Sequence, residues 1–67
     1  MNDFKLNNGA ELLDRDAETG IVLAKFRGSE YVTWATSANG DAFWGHYFGS
    51  DVVAASKDFT VRVKGNS

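Results

Sequence analysis

Residues 30–48 read EYVTWATSANGDAFWGHYF, and the order of aromatics and turn formers within them decides the fold. Ala38-Asn39-Gly40 is the clearest turn in the chain, because Asn and Gly tolerate the positive φ that tight turns need. The flanking segments, Glu30–Ser37 and Ala42–Phe48, are rich in β-branched and aromatic residues and read as two strands. So short a turn makes them antiparallel neighbours.

The same rhythm extends outward. Gly9, Gly20, Gly28, Gly40 and Gly49 recur at 8–12-residue spacing, the signature of consecutive short strands. Asn7-Asn8-Gly9 and Glu18-Thr19-Gly20 read as turns, and Gly28-Ser29 fits a two-residue hairpin loop. Ile21–Arg27 and Glu11–Asp16 therefore read as further strands, and Phe4–Leu6 as a short edge strand. Beyond Gly49 the pattern changes to helical. Ser50 is expected to cap a helix, with Asp51 at its positive end. Val52, Ala55, Phe59 and Val63 recur at helical spacing as one apolar stripe, and Gly65 suits the C-terminus. Thr60-Val61-Arg62-Val63 alternates, so a final strand is the alternative there. The expected fold is α+β: one antiparallel meander of four to five strands, packed by a C-terminal helix, as a single domain over residues 1–67.

The totals agree with one small domain. A chain of 67 residues buries only about 60% of its unfolded surface, which leaves little stability to spare. Having no cysteine, it forms no disulfide and offers no thiolate for a metal. Ile21–Ala24 is too short an apolar run to cross a bilayer, and Met1-Asn2-Asp3-Phe4 does not resemble a targeting segment. A soluble, cytoplasmic protein is expected. The net charge is −2, with five acids against two bases in residues 1–20 and four acids against five bases thereafter. A nucleic-acid binder concentrates bases to meet phosphate, and no such cluster occurs here.

Hairpin geometry predicts which side chains share a face. A two-residue loop at Gly28-Ser29 sets Phe26 opposite Tyr31 and Leu23 opposite Trp34. A three-residue turn at Ala38–Gly40 sets Trp34 opposite Trp44 and Val32 opposite His46. One face then holds Ile21, Leu23, Val32, Trp34, Trp44, His46 and Phe48, and the helix is expected to cover it. The other presents Phe26, Tyr31, Thr33, Phe43 and Tyr47 as an open patch suited to a protein partner, since exposed aromatic patches mark interfaces. The bland alternative is a sheet curled on itself, or the patch lying under the N-terminal segment. A shift of one residue at Asn39-Gly40 would swap the last strand between faces.

Candidates for chemistry are sparse. His46 is the only histidine, and no serine lies in a nucleophile elbow, so it reads as packing or edge decoration. Asp14, Asp16 and Glu18 resemble the start of a calcium loop, but Thr19 and Lys25 stand where Gly and Glu are required. They read instead as an acidic hairpin tip facing a basic partner. No glycine-rich phosphate loop is present. No cofactor or metal and no catalysis are expected.

Tyr31-Val32-Thr33-Trp34, Asn39-Gly40 and Phe43–Phe48, followed by a short helix ending near Asp58-Phe59, resemble a group of small uncharacterised phage and mobile-element proteins. The resemblance covers most of residues 8–60 and implies the same meander-plus-helix fold, without bringing catalytic residues. Proteins of such origin often inhibit host systems, anti-CRISPR proteins among them. The expected function is a non-enzymatic protein-binding module that blocks its target stoichiometrically. A homodimeric structural protein and a single-stranded nucleic-acid binder are the alternatives.

Overall fold

The apolar run Ile21-Val22-Leu23-Ala24 lies at the centre of the molecule, buried on both faces of a sheet. The computed structural model describes residues 4–65. It contains β1 (Glu11–Arg15), β2 (Ile21–Phe26), β3 (Glu30–Thr36), β4 (Ala42–Tyr47) and α1 (Val52–Lys64). The four strands form an antiparallel meander in the order β1-β2-β3-β4, so β1 and β4 are its edges. The helix packs on β2 and β3, giving the expected α+β architecture.

Phe4–Leu6 does not form the expected edge strand. It crosses the sheet face opposite the helix, where Leu6 joins Val22, Ala24, Val32 and Trp34 in a buried cluster. The Asn7 N–H donates to the Gly40 carbonyl at 3.0 Å, and Asn7 Nδ2 donates to Asp41 Oδ1 at 2.7 Å. Arg15 stacks on the Phe4 ring, 4.1 Å from its centroid. This strap explains how a sheet apolar on both sides is closed with only one helix.

The β2–β3 register also differs from the expected one. Phe26 pairs with Glu30, so the loop is the three residues Arg27-Gly28-Ser29, not the two of Gly28-Ser29. Arg27 and Gly28 both adopt left-handed backbone, φ 53° and 85°, and so turn the chain one residue early. A one-residue slip exchanges faces. Leu23 consequently faces Thr33, and Val22 faces Trp34. Ile21, Leu23, Thr33 and Ala35 lie under the helix, while Trp34 lies on the strap side with Val22 and Ala24.

The helix begins one residue later than predicted. Asp51, rather than Ser50, is the N-cap, its Oδ1 accepting the Ala54 N–H at 3.0 Å. It continues through Lys64 and ends on left-handed Gly65, whose N–H bonds to the Arg62 carbonyl, so residues 60–63 are helical. The row turned inward is buried Ala55 with half-buried Asp58, Phe59 and Arg62. Val52, assigned to the apolar stripe, is exposed, and Val53 and Val61 are exposed as well.

Candidate functional site

Edge strand β4 is shaped by the tryptophan beside it. Trp34 is 4% exposed and makes edge-to-face contacts with Phe26 and Tyr47, at centroid distances of 5.5 and 6.2 Å. Its indole lies across Gly45. A Cβ on that residue would come 2.6 Å from Trp34 Nε1, so only glycine fits beneath the ring. The β3–β4 ladder follows the expected pairing near the turn, with Ala35 opposite Phe43. It then slips by one residue, so that Thr33 faces His46 and Val32 faces Tyr47, not His46.

The extra residue of this bulge falls at Trp44-Gly45. Trp44 takes left-handed backbone, φ 53°, and its side chain is turned outward, 76% exposed. Bulges commonly re-aim a side chain at a sheet edge. A non-glycine residue in this conformation costs about 1–2 kcal/mol. Phe43 stacks edge-to-face on Trp44 at 5.1 Å and is itself exposed, as is Tyr47. The strand thus presents three exposed aromatics and no Lys, Arg, Asp or Glu. The opposite edge, β1, carries Glu11, Asp14 and Arg15. Charges and bulges both guard a sheet edge against pairing; β4 has the bulge at Trp44-Gly45 but no charge.

A polar cluster joins β4 to the helix. Thr33, fully buried, donates its hydroxyl to Asp58 Oδ2 at 2.6 Å. His46 Nδ1 lies 2.9 Å from the same oxygen. Arg62 Nη1 donates to the Thr33 carbonyl at 3.2 Å and contacts its hydroxyl at 3.1 Å. Partial burial opposes ionisation of Asp58, but the bonds from Thr33 and His46 and the charges of His46 and Arg62 outweigh it and lower its pKa. His46 therefore bonds to the helix and is not edge decoration. The cluster fastens helix to sheet through a carboxylate already committed twice.

Its effect on stability has a definite sign. A carboxyl whose pKa falls on folding stabilises the protein above its unfolded value, near 3.8, and that contribution disappears as pH drops through the lower folded value. Asp58→Asn should therefore flatten the acid limb of a stability–pH profile below about pH 4, measured by urea midpoints. Thr33→Val leaves Asp58 and Arg62 short of a partner and should cost about 1–3 kcal/mol at neutral pH. An unchanged acid limb in Asp58→Asn would exclude this role.

The five predicted contact residues do not share a face. Thr33 and Phe43 are on the helix side, with Tyr31 in the same register; Phe26 and Tyr47 flank Trp34 on the strap side. Thr33 is inaccessible. Phe43 and Tyr47 are nevertheless both exposed on edge strand β4, to either side of Trp44 in sequence, which the expected register placed under the helix. The signal for Trp44 was the Trp-Gly pair opposite a second tryptophan.

Asp14, Asp16 and Glu18 lie along and beyond β1, at the other edge of the sheet. Asp16 closes the β1–β2 turn. Its Oδ2 accepts from the Thr19 hydroxyl and N–H at 2.7 and 2.9 Å, and these two bonds lower its pKa. Asp14 Oδ1 accepts the adjacent Arg15 N–H, and Glu18 is exposed. Among the described residues no group of His, Asp and Glu is arranged to hold a metal ion, and no helix is long and apolar enough to cross a membrane. No protein-family model, curated protein or solved structure matches the chain.

Proposed function

We propose that this protein is a non-catalytic binding module that engages a protein partner through the β4 edge. The observation that carries this reading is Trp44, held in left-handed backbone with three-quarters of its surface in water. The bulge seats the Trp34 ring over Gly45, but the Trp44 indole itself gains only the edge-to-face contact with Phe43, which leaves most of it in water. Strain of this kind concentrates where a ligand or partner is met, and Trp is among the residues enriched in interface hot spots.

The exposed parts of Phe43, Trp44 and Tyr47 amount to roughly 260–430 Å², taking 150–250 Å² per aromatic ring. A standard interface buries about 800 Å² on each partner, so the aromatics supply up to about half. The uncharged backbone of β4 on either side of the bulge supplies further contacts if the partner adds a strand. Stoichiometric blocking of a target is the mode of action this surface suits.

Trp44→Gly separates function from folding. Glycine relieves the left-handed strain, so the variant should be about 1 kcal/mol more stable than wild type in urea. It should also fail to retain the partner that immobilised wild type captures, as should Tyr47→Ala. A destabilised Trp44→Gly protein would show that the indole supports the fold. Undiminished capture would remove the edge as the site.

A further inference from the structure

Three aromatic rings of this chain already carry a cation of their own. Arg15 stands over Phe4, Lys25 over Tyr31 and Arg27 over Phe26, at 4.1, 6.0 and 5.2 Å from the ring centroids. Trp44 presents the best cation-binding ring of the natural side chains and the largest exposed fraction among the exposed hydrophobic residues, yet none of these cations serves it. Between Gly28 and Ser56 the sequence has Glu30, Asp41 and Asp51 and no Lys or Arg. Asp41 immediately precedes β4 and Asp51 follows it, so an uncharged aromatic strand lies between two exposed carboxylates. Arg62, which reaches the sheet next to His46, is bonded to Thr33.

Resting on the reading of β4 as the docking edge, we infer that its occupant is an extended segment of another protein bearing Arg or Lys. The segment adds antiparallel or parallel to β4, over about 20 Å at about 3.3 Å per residue. One of its cations lies on the Trp44 ring, and others approach Asp41 and Asp51. A second copy of this chain fits less well. Antiparallel pairing of β4 with itself would set the Asp41 end of each strand against the Asp51 end of the other, and like charges across strands repel.

The test is an amide-shift titration of ¹⁵N-labelled protein with three seven-residue peptides. The first is acetyl-Thr-Arg-Val-Lys-Val-Arg-Thr-amide; in the others Gln or Glu replaces every Arg and Lys. The basic peptide should shift the amides of residues 42–47 and the Trp44 indole N–H, leaving the outer helix position Val61 unmoved. Its apparent affinity should fall at least about fivefold between 0.1 and 1 M salt, as the screening length shortens from about 10 to about 3 Å. Trp44→Ala should abolish the β4 shifts.

Equal binding of the Gln peptide would keep the docking edge and overturn its cationic occupant. Stronger binding of the Glu peptide would do the same. No β4 shift with the basic peptide at millimolar concentration would overturn the inference, as would a dimer by sedimentation that buries Trp44. The edge itself falls only if partner capture survives Trp44→Gly.

Discussion

Trp34→Ala should lose about 3–5 kcal/mol of stability, the range for removing a large aromatic from a packed core. Stability of about 0.05–0.15 kcal/mol per residue gives this chain only about 3–10 kcal/mol in total, so the substitution removes at least about a third of it and, toward the lower end, all of it. The cost concentrates at this ring because it joins several parts of the fold. Trp34 packs in one cluster with Leu6 of the strap and with Val22, Ala24 and Val32, and it meets Phe26 and Tyr47 edge-on. Far-UV circular dichroism in urea is the suitable probe, since the substitution removes a fluorophore. A loss below about 1 kcal/mol would mean that the site collapses around the missing ring, contrary to what partly relaxing cavities show. Trp44, ten residues along, should respond in the opposite sense when replaced by glycine. The pair therefore distinguishes a tryptophan that holds the fold from one that the fold holds out.

That distinction was only half legible in the sequence. Strand and helix identities followed from the glycine spacing, the aromatic and β-branched runs, and the Asp51 to Gly65 helical stretch. These are local signals, each decided by a few neighbouring residues. Facing was not local. It hung on whether Arg27 would accept left-handed backbone, which makes the β2–β3 loop three residues long and exchanges every side chain of β2 relative to β3. Arginine gives little warning of this, whereas the glycine after it suggests the shorter loop. The bulge at Trp44-Gly45 was hidden for a different reason. It exists because the Trp34 ring, arriving from the neighbouring strand, requires a position without a Cβ. The strap was hidden too: Phe4 and Leu6 look like a strand, but the demand they answer is the second apolar face of β2 and β3. Asp58 and Arg62, one helical turn apart, lie beside the predicted stripe of Val52, Ala55, Phe59 and Val63, and no local signal announces their meeting with Thr33 and His46.

Gly40→Ala should be the most damaging of the turn substitutions, and comparison with Gly28→Ala explains why. Both glycines have positive φ, 92° and 85°, so alanine pays a similar conformational penalty of about 1–2 kcal/mol at either site. At Gly28 the added methyl would meet nothing within 4 Å. At Gly40, which is buried, it would collide with the backbone carbonyl of Lys5 and crowd the Asn7 side chain at 3.1 Å. Overpacking adds about 1–3 kcal/mol, giving about 2–5 kcal/mol in all against about 1–2 kcal/mol at Gly28. The carbonyl cannot move alone, because Asn7 is bonded to both Gly40 and Asp41. Relief comes by lifting the strap, which uncovers Leu6 and the strap-side face of Trp34. Trypsin should then cut after Lys5 faster in Gly40→Ala than in Gly28→Ala, measured under conditions where both remain folded. Equal urea midpoints for the two variants would show that the strap is not tightly seated on the β3–β4 turn. A displaced strap would also loosen Trp34 over Gly45, and with it the bulge that turns Trp44 outward. Partner binding in Gly40→Ala should therefore weaken while Trp44 itself is intact, whereas Gly28→Ala, at the opposite end of β3, should bind as wild type does.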